Sequence, residues 1–467
     1  MNIYYVIPLL MVLLLPLSLV YPVYSSNSYT VPGDFLSIQE AINSVGEGSV
    51  IYIEPGVYYE NLIVNKSVSL IGTRYSEVVI DGNMSDNVIE VYAENVVINN
   101  LTIRNTGDVS HSIGVYIGSS SVTIARCIFD NLHRGIYTPG GTNITVYRNR
   151  FDKFTFGILF TGNSHNNNIT GNIFQGPSYM AVRLLGNYDD IVRDNMFYNS
   201  ALDIPSSYNL IVENNTVNDE PLLYYENMDG GYISGRVGEV IINYCTDITV
   251  DNVTVENSYY GVYISHSDNI SVVESSFKHD FSGIYIDRSS NITIESNYID
   301  SNNGLGIFIY KTYNSSILDN MIVKGGTGIF LSRSSDNLVM NNTVYDNKYG
   351  ISIFESMNNL IYHNDFIDNN IQVRFLDDEN YTNIWDNGYP DGGNFWSDYT
   401  GVDEYSGENQ DISGSDGIGD EPYTINEYNV DHYPLMQHLF EIPDISVSII
   451  SIIALIIVVA FILRRRI

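Results

Sequence analysis

A repeat of about 22 residues constrains the fold of this chain more than any other feature. The phrase Gly261-Val-Tyr-Ile recurs with small changes and nearly constant spacing at four later glycines: Gly283, Gly306, Gly328 and Gly350. A second phrase keeps the same period and begins at Asp247, Asn269, Asn291, Asn337 and Asn359. Two phrases in phase indicate a solenoid, in which each repeat stacks on the one before it.

Each phrase predicts a short strand with one buried face, because apolar and polar residues alternate along it. Gly or Asn begins almost every phrase, and both residues tolerate the left-handed backbone of a turn, so we expect a turn at these positions. A third strand follows, as in Asn320-Met-Ile-Val. A leucine-rich repeat would need a regular Leu pattern and a helical segment, and neither occurs. The prediction is an all-β fold, a right-handed, single-stranded parallel β-helix.

The phase of the repeat predicts the domain organisation. We expect an N-terminal cap with a first β-helix segment over 27–217, an irregular junction over 218–244, and a second β-helix segment over 245–376. A solenoid must cover its open ends. Ser37-Ile-Gln-Glu40 is a capping box before a short amphipathic helix, which predicts a plug for the N-terminal end. Residues 377–440 lack the repeat and are expected to form an acidic C-terminal cap.

The two ends of the chain predict a membrane-anchored, exported protein. Residues 1–26 contain an apolar run followed by small residues, as in a signal peptide, with an uncleaved anchor as the alternative. Residues 445–463 are apolar and long enough to cross a hydrocarbon core of roughly 30 Å. Three arginines follow in the tail of residues 464–467, so the positive-inside rule predicts a single-pass type I protein with an extracellular ectodomain.

Charge and cysteine content narrow the possible partners and bonds. The formal net charge is −34, which excludes a nucleic-acid partner. Cys127 and Cys245 are more than five repeats apart, so on coils spaced by about 4.8 Å they should lie roughly 20 Å apart. That separation predicts two free thiols. Twelve Asn-X-Ser/Thr sequons, from Asn65 to Asn380, are acceptors for N-glycosylation in an exported protein.

Three segments resemble a known family. They are the opening from Thr30-Val-Pro-Gly-Asp with Tyr52-Ile-Glu-Pro-Gly, the middle from Pro221 to Cys245, and the tail with Gly393-Asn-Phe-Trp-Ser-Asp-Tyr, Asp416-Gly-Ile-Gly-Asp and Asp431-His-Tyr-Pro-Leu-Met. Together they resemble the NosD-like periplasmic copper-binding β-helix repeat family of the pectin lyase-like superfamily. The C-terminal anchor departs from the soluble periplasmic type and favours the family's archaeal cell-surface branch.

That resemblance implies copper, which prefers imidazole and thioether ligands. Only His432, Met436 and His438 bring such groups together in the sequence. The alternative is a juxtamembrane segment whose residues pack on the last coil.

The third residue of the glycine phrase predicts a binding face. It should point outward, which gives a column of aromatic residues: Tyr263, Tyr285, Phe308 and Phe330, with Tyr116 and Tyr137 in earlier coils. The corresponding residues of the second phrase are hydroxylic: Thr249, Ser271 and Thr293. Stacked aromatics can simply stabilise a ladder. The alternative is a platform that binds glycans or neighbouring surface proteins.

Two further kinds of site remain open. Asp411, Ser413, Asp416 and Asp420 offer alternating oxygen ligands on a Gly-rich segment, which suits calcium, although an acidic solvated cap explains them equally well. A polysaccharide lyase or hydrolase needs carboxylates that converge on one groove. Asp189-Asp190 with Arg193 is the strongest such cluster, and a surface turn explains it as well. We therefore expect a binding protein, with an enzyme as the alternative.

Overall fold

The computed structural model describes residues 27–438 except 84–86, 106–111, 177–179, 301–303 and 378–380. The predicted signal peptide and the predicted membrane helix at 445–463 lie outside the described residues. Within the described part of the chain, no helix is long and apolar enough to span a membrane.

The described chain is a right-handed parallel β-helix with three strands in most coils, which confirms the predicted fold. One coil of the second segment contains Tyr260–Ser265, Ser271–Val273 and Ser276–Lys278. Each of these strands pairs in parallel with its counterpart in the next coil. Isoleucine, valine and phenylalanine side chains from alternate strand positions fill the interior. One coil of three strands therefore accounts for the period of the repeat, and burial of one face of each strand accounts for the alternation within each phrase.

Most strands of the first segment are short, and two longer ones each take the place of two strands of a coil. In chain order the strands are Ser28–Val31, Ser49–Ile53, Gly56–Tyr59, Leu62–Val64, Val68–Gly72, Val78–Asp81, Asn87–Val91, Val97–Asn99, Thr102–Arg104, Ile113–Ile117, Thr123–Ala125, Ile128–Thr138, Thr145–Tyr147, Arg150–Phe160, Asn168–Thr170, Ile173–Gln175, Met180–Leu184, Ile191–Arg193, Met196–Phe197, Leu202–Asp203, Ile211–Glu213 and Thr216–Val217.

Three strands connect the segments: Glu220–Glu226, Asp229–Arg236 and Glu239–Asn243. The second segment contains Thr246–Glu256, Tyr260–Ser265, Ser271–Val273, Ser276–Lys278, Ser282–Asp287, Thr293–Glu295, Tyr298–Asp300, Leu305–Tyr310, Ser316–Leu318, Met321–Val323, Thr327–Ser332, Leu338–Met340, Thr343–Tyr345, Tyr349–Phe354, Leu360–Tyr362, Asp365–Ile367 and Ile371–Phe375. The C-terminal region adds Phe395–Trp396, Tyr405–Ser406, Ile412–Ser413, Tyr423–Thr424 and Val430–Asp431.

The glycines of the repeat act differently from the prediction. Gly261 and Gly306 lie inside strands and do not have a left-handed backbone. A Cβ atom on Gly261 would lie 2.5 Å from the carbonyl oxygen of Gly283, and one on Gly306 would lie 2.5 Å from that of Gly328. The prediction of a turn at these glycines was therefore wrong. A side chain is excluded because the backbones of adjacent coils approach too closely.

The asparagines fall into two classes. Asn269 and Asn291 are exposed turn residues with φ of 53° and 55°, as predicted. Asn337 and Asn359 are buried, and the left-handed residue is the one before each of them. The Oδ1 atom of Asn359 accepts hydrogen bonds from the backbone N and the Nδ2 atom of Asn337. The second class therefore ties consecutive coils together in the interior.

Both ends of the β-helix are covered. The helix Ile38–Ser44 begins at Ser37, whose side chain accepts a hydrogen bond from the Glu40 amide, and it buries Ile38, Ala41 and Ile42. This confirms the predicted plug. At the other end, the rings of Phe366, Trp396 and Tyr423 stack with centroid distances of 4.7 and 4.5 Å. This aromatic stack closes the core at the last coil.

The pairing of the strands changes where the two segments meet. Thr216–Val217 pairs antiparallel with Glu220–Glu226, which interrupts the parallel order of the coils. The Tyr260 hydroxyl of the second segment donates a hydrogen bond of 3.4 Å to Asp203 of the first. The start of the second segment therefore packs against the end of the first.

Both cysteines are free and buried, which confirms the prediction from the repeat. Burial raises the pKa of the Cys127 thiol to about 12, and it also raises that of Cys245.

Candidate functional site

The predicted aromatic column exists in register. Tyr263 lies opposite Tyr285, Tyr285 opposite Phe308, and Phe308 opposite Phe330. The ring centroids are 5.5, 4.7 and 5.0 Å apart along this series. Tyr285, Phe308 and Phe330 are half-buried, so their outer surfaces form a continuous aromatic strip. We call these three residues the aromatic column.

Tyr263 does not belong to this exposed strip, because only 1% of its surface is accessible. The prediction that it points to solvent was wrong. It packs with Tyr259 and Tyr260 in the core that the first segment contributes to the junction. The contact between the segments therefore covers the start of the column.

Charged groups surround the column where it meets the first segment. Arg183 Nε lies 3.2 Å from Asp203 Oδ2, and Arg288 Nη1 lies 2.8 Å from Asp287 Oδ2. Burial raises the pKa of Asp203 to about 6, although Arg183 lowers it. Burial likewise raises the pKa of Asp287, which Arg288 opposes. Both carboxylates are thus buried and paired with arginines.

A basic column runs beside the aromatic column. It contains Arg288, Lys311 and Arg333, each of which follows an aromatic-column residue by three positions. Their backbone amides donate to the next coil at Tyr310, Ser332 and Phe354, with distances of 2.8 to 3.0 Å. All three have a left-handed backbone, with φ of 47° to 50°. Sequence reasoning missed this column, although aligning the residue three positions after each aromatic would have found it.

The Tyr310 ring joins the two columns. Its centroid lies 6.4 Å from that of Phe308, 5.7 Å from Arg288 Cζ and 5.3 Å from Lys311 Nζ. The cations and the aromatic strip therefore form one continuous surface.

Other predicted site residues lie elsewhere. Thr249, Ser271 and Thr293 are in register and half-buried on a different sheet. Tyr116 and Tyr137 stack on the first segment with centroids 5.9 Å apart. The same register continues through Leu159 to Arg183 and Asp203, so this first-segment column ends at the junction: Tyr116, Tyr137, Leu159, Arg183 and Asp203.

The carboxylate cluster suggested by Asp189-Asp190 has a structural explanation. Asp190 is buried, and its carboxylate accepts hydrogen bonds from the Asn167 amide and from Asn187 Nδ2. Arg193 turns away and pairs with Glu213 at 2.9 Å. These residues stabilise a turn between coils and do not converge on a groove.

Family models match most of the β-helix. Residues 224–401 match NosD, described as a periplasmic copper-binding protein, and residues 87–236 match the right-handed β-helix region. The chain is therefore similar to the NosD and right-handed β-helix families over these residues. A comparison with curated proteins finds no match.

Several solved structures resemble this NosD-like protein. The catalytic domain of a GH87 α-1,3-glucanase in complex with tetrasaccharides is 13% identical over 80% of this chain and 70% of that chain, with a TM-score of 0.40. A mannuronic acid specific polysaccharide family 6 lyase from human gut microbiota is 12% identical over 75% and 92%, with a TM-score of 0.34. An alginate lyase from Paenibacillus sp. str. FPU-7 is 9% identical over 70% and 98%, with a TM-score of 0.36. At these values the likeness concerns the fold alone.

The described residues of the NosD-like protein do not fit a copper site. His432 Nδ1 lies 3.0 Å from Asp386 Oδ2, whereas the His438 ring packs against Phe395 with centroids 5.8 Å apart. Met436 donates its backbone amide to the Gly417 carbonyl. Across the described ranges, no group of three or more His, Cys, Asp or Glu is placed to hold a metal ion. No step of the function proposed below therefore involves copper.

The four residues predicted to bind calcium lie on the surface of the C-terminal cap. Asp411 and Ser413 are exposed, and Ser413 pairs with Tyr405 in a short hairpin. Asp416 accepts a hydrogen bond from the Ile418 amide, and Asp420 accepts from the amides of Glu404 and Tyr405. These bonds give the acidic residues a structural role, and calcium at this position stays a prediction.

The family's tail signature contributes to the cap. The Asp431 carboxylate accepts hydrogen bonds from the Asn394 amide, Trp396 Nε1 and the Tyr433 amide, at 2.8 to 3.1 Å. Burial raises the pKa of Asp431 to about 7, against the lowering effect of these donors. Gly393 cannot be larger, because a Cβ atom there would overlap this carboxylate. The tail motif, which is the most specific part of the resemblance, therefore has a structural role.

Proposed function

We propose that this protein is a cell-surface-anchored, non-catalytic β-helix that binds glycans along its aromatic column. The observation that carries this proposal is the strip formed by Tyr285, Phe308 and Phe330, whose tilted rings follow one another on three consecutive coils and remain half-buried. Phe308 and Phe330 have no hydroxyl group to offer to water. A row of half-buried rings with regular spacing suits a repetitive ligand that covers their outer faces.

The acidic groups beside the column favour binding over catalysis. A glycosidase needs two carboxyl groups that both reach the scissile bond. Asp203 is 3% exposed and Asp287 is 7% exposed at the side chain, and each pairs with an arginine. The Arg183–Asp203 pair lies within the first segment and the Arg288–Asp287 pair within the second, so each carboxylate neutralises an arginine of its own segment. A lyase or hydrolase remains the alternative, and an assay for polysaccharide cleavage tests it.

A glycan array probed with the full chain in detergent tests the proposal. The parent should bind a defined set of polysaccharides without shortening them, and Phe308→Ser with Phe330→Ser should abolish this binding. Tyr345→Ser is the matched control, because Tyr345 is also half-buried but lies on another sheet. Equal binding by the double variant and the control would refute a role for the column. If the protein binds other proteins of the cell surface and no glycan, its ligand is a protein and the proposed glycan binding is wrong.

A further inference from the structure

The basic column is unusual in this protein. The whole chain has 55 acidic residues against 21 Lys and Arg. Residues 245–376 contain seven Lys and Arg, and three of them stand on consecutive coils in this one column. Because a left-handed backbone favours Asn and Gly, arginine and lysine are not what turn geometry alone would select at these positions.

The charges of the column are available at the surface. Arg288 and Arg333 are 37% and 43% exposed at the side chain, although each contacts one carboxylate, Asp287 and Glu355 respectively. Among the described residues, no carboxylate lies within 4.0 Å of Lys311 Nζ. Burial alone would raise the pKa of Tyr310, but the adjacent Arg333 and Lys311 together lower it. These cations therefore act on Tyr310, whereas burial and then the Asp203 and Asp287 carboxylates raise the pKa of Tyr285.

Long-range repulsion from the acidic surface does not cancel this local attraction. At physiological ionic strength the Debye length is about 8 Å, so charges farther away are largely screened. Arg288 Cζ and Lys311 Nζ lie 5.7 and 5.3 Å from the Tyr310 ring centroid, well inside that length. A ligand beside Tyr310 would therefore lie within reach of these cations, and also of the Asp287 carboxylate that contacts Arg288.

We propose that the glycan bound on the aromatic column is anionic, and that Arg288, Lys311 and Arg333 bind its carboxylate or sulfate groups. This inference rests on the proposed glycan binding and adds the class of ligand. Sugar faces pack on the rings, while the guanidinium and ammonium groups form charge-assisted hydrogen bonds to the acidic substituents. Each of the three consecutive coils presents one aromatic ring and one cation. This arrangement suits a polymer that carries a charge on each repeating unit.

Two pairs of polymers with the same backbone test this inference. Polygalacturonate is compared with its methyl ester, and dextran sulfate with dextran, for binding to the full chain in detergent. Lys311→Gln should weaken binding to the preferred anionic polymer about fivefold, as expected for one charge-assisted contact, and leave the neutral partner unchanged. Lys324→Gln is the control, since Lys324 is exposed with a similar φ of 56° but lies in another column. The better binder of the two anionic polymers identifies carboxylate or sulfate.

The outcomes separate this inference from the proposed function. Equal binding to charged and neutral partners, with sensitivity to Phe308→Ser and Phe330→Ser, would overturn the anionic class and keep glycan binding. An equal effect of Lys311→Gln and Lys324→Gln would show that only net charge matters and would also overturn the inference. Binding to none of the four polymers, together with an empty glycan array, would refute both proposals.

Discussion

The buried asparagine ladder of the second segment permits a prediction with a defined magnitude. Asn342 is fully buried, and its Oδ1 atom accepts from the backbone N and the Nδ2 atom of Asn320 at 3.0 and 2.9 Å. Its own Nδ2 atom donates to the Ile317 carbonyl at 2.8 Å. The same Nδ2 atom also donates to the Met340 carbonyl at 3.0 Å and to Asn364 Oδ1 at 2.9 Å. Asn342→Ala removes all of these bonds and leaves two N–H groups of Asn320 without their acceptor in the core.

Each buried polar group without a partner costs about 1–3 kcal/mol. With two such donors, Asn342→Ala should lower the free energy of unfolding by roughly 2–6 kcal/mol, a large part of the total that a folded domain has. Denaturant unfolding of the full chain, followed by circular dichroism, measures this difference. Asn370→Ala is the matched control, because Asn370 is exposed and should change stability by less than about 0.5 kcal/mol.

A second variant separates hydrogen bonding from cavity formation. Serine occupies the same register position one coil before Asn297, where the Ser275 hydroxyl accepts from the Val253 amide at 3.0 Å. Asn342→Ser should therefore retain an acceptor for the Asn320 amide and lose clearly less stability than Asn342→Ala. If the alanine variant differs from Asn370→Ala by under about 1 kcal/mol, the ladder does not carry the stability assigned to it.

The remaining predictions concern the cap and the junction. Gly393→Ala should unfold at a lower denaturant concentration than the parent, because its Cβ atom would overlap the Asp431 carboxylate, and an unchanged midpoint would contradict the packing of the cap. Burial raises the folded-state pKa of Asp203 to about 6, so its protonated form stabilises the fold. That contribution is complete below the unfolded pKa of about 4 and is lost as pH rises through 6, with a limit of roughly 3 kcal/mol. The free energy of unfolding of the parent should therefore fall more than that of Asp203→Asn between about pH 5 and 7. Parallel plots of this free energy against pH for the two proteins would refute the role of Asp203.

The architecture could be predicted because two phrases of the repeat keep one period. The alternation within each phrase fixed which residues enter the core, and the capping box at Ser37 located the plug helix. The role of Gly261 could not be read in the same way. The sequence shows a small residue at a regular position, whereas its cause is the approach of the backbone of the next coil at Gly283.

The candidate site was predictable only in part. The register of Tyr285, Phe308 and Phe330 follows from the repeat, but the burial of Tyr263 depends on a contact with the first segment. No local sequence pattern indicates the hydrogen bond between Tyr260 and Asp203, which are 57 residues apart. The basic column was overlooked because its members, such as Lys311, have ordinary acidic or polar neighbours in the sequence and become a group only through stacking.

Hydroxyl-radical footprinting with the tightest glycan from the array tests the central claim most directly. Bound glycan should protect Tyr285, Phe308 and Phe330 from oxidation and leave the half-buried Tyr345 of the other sheet unprotected. Protection of Tyr345, or equal oxidation of the aromatic column with and without glycan, would contradict a binding site on this face.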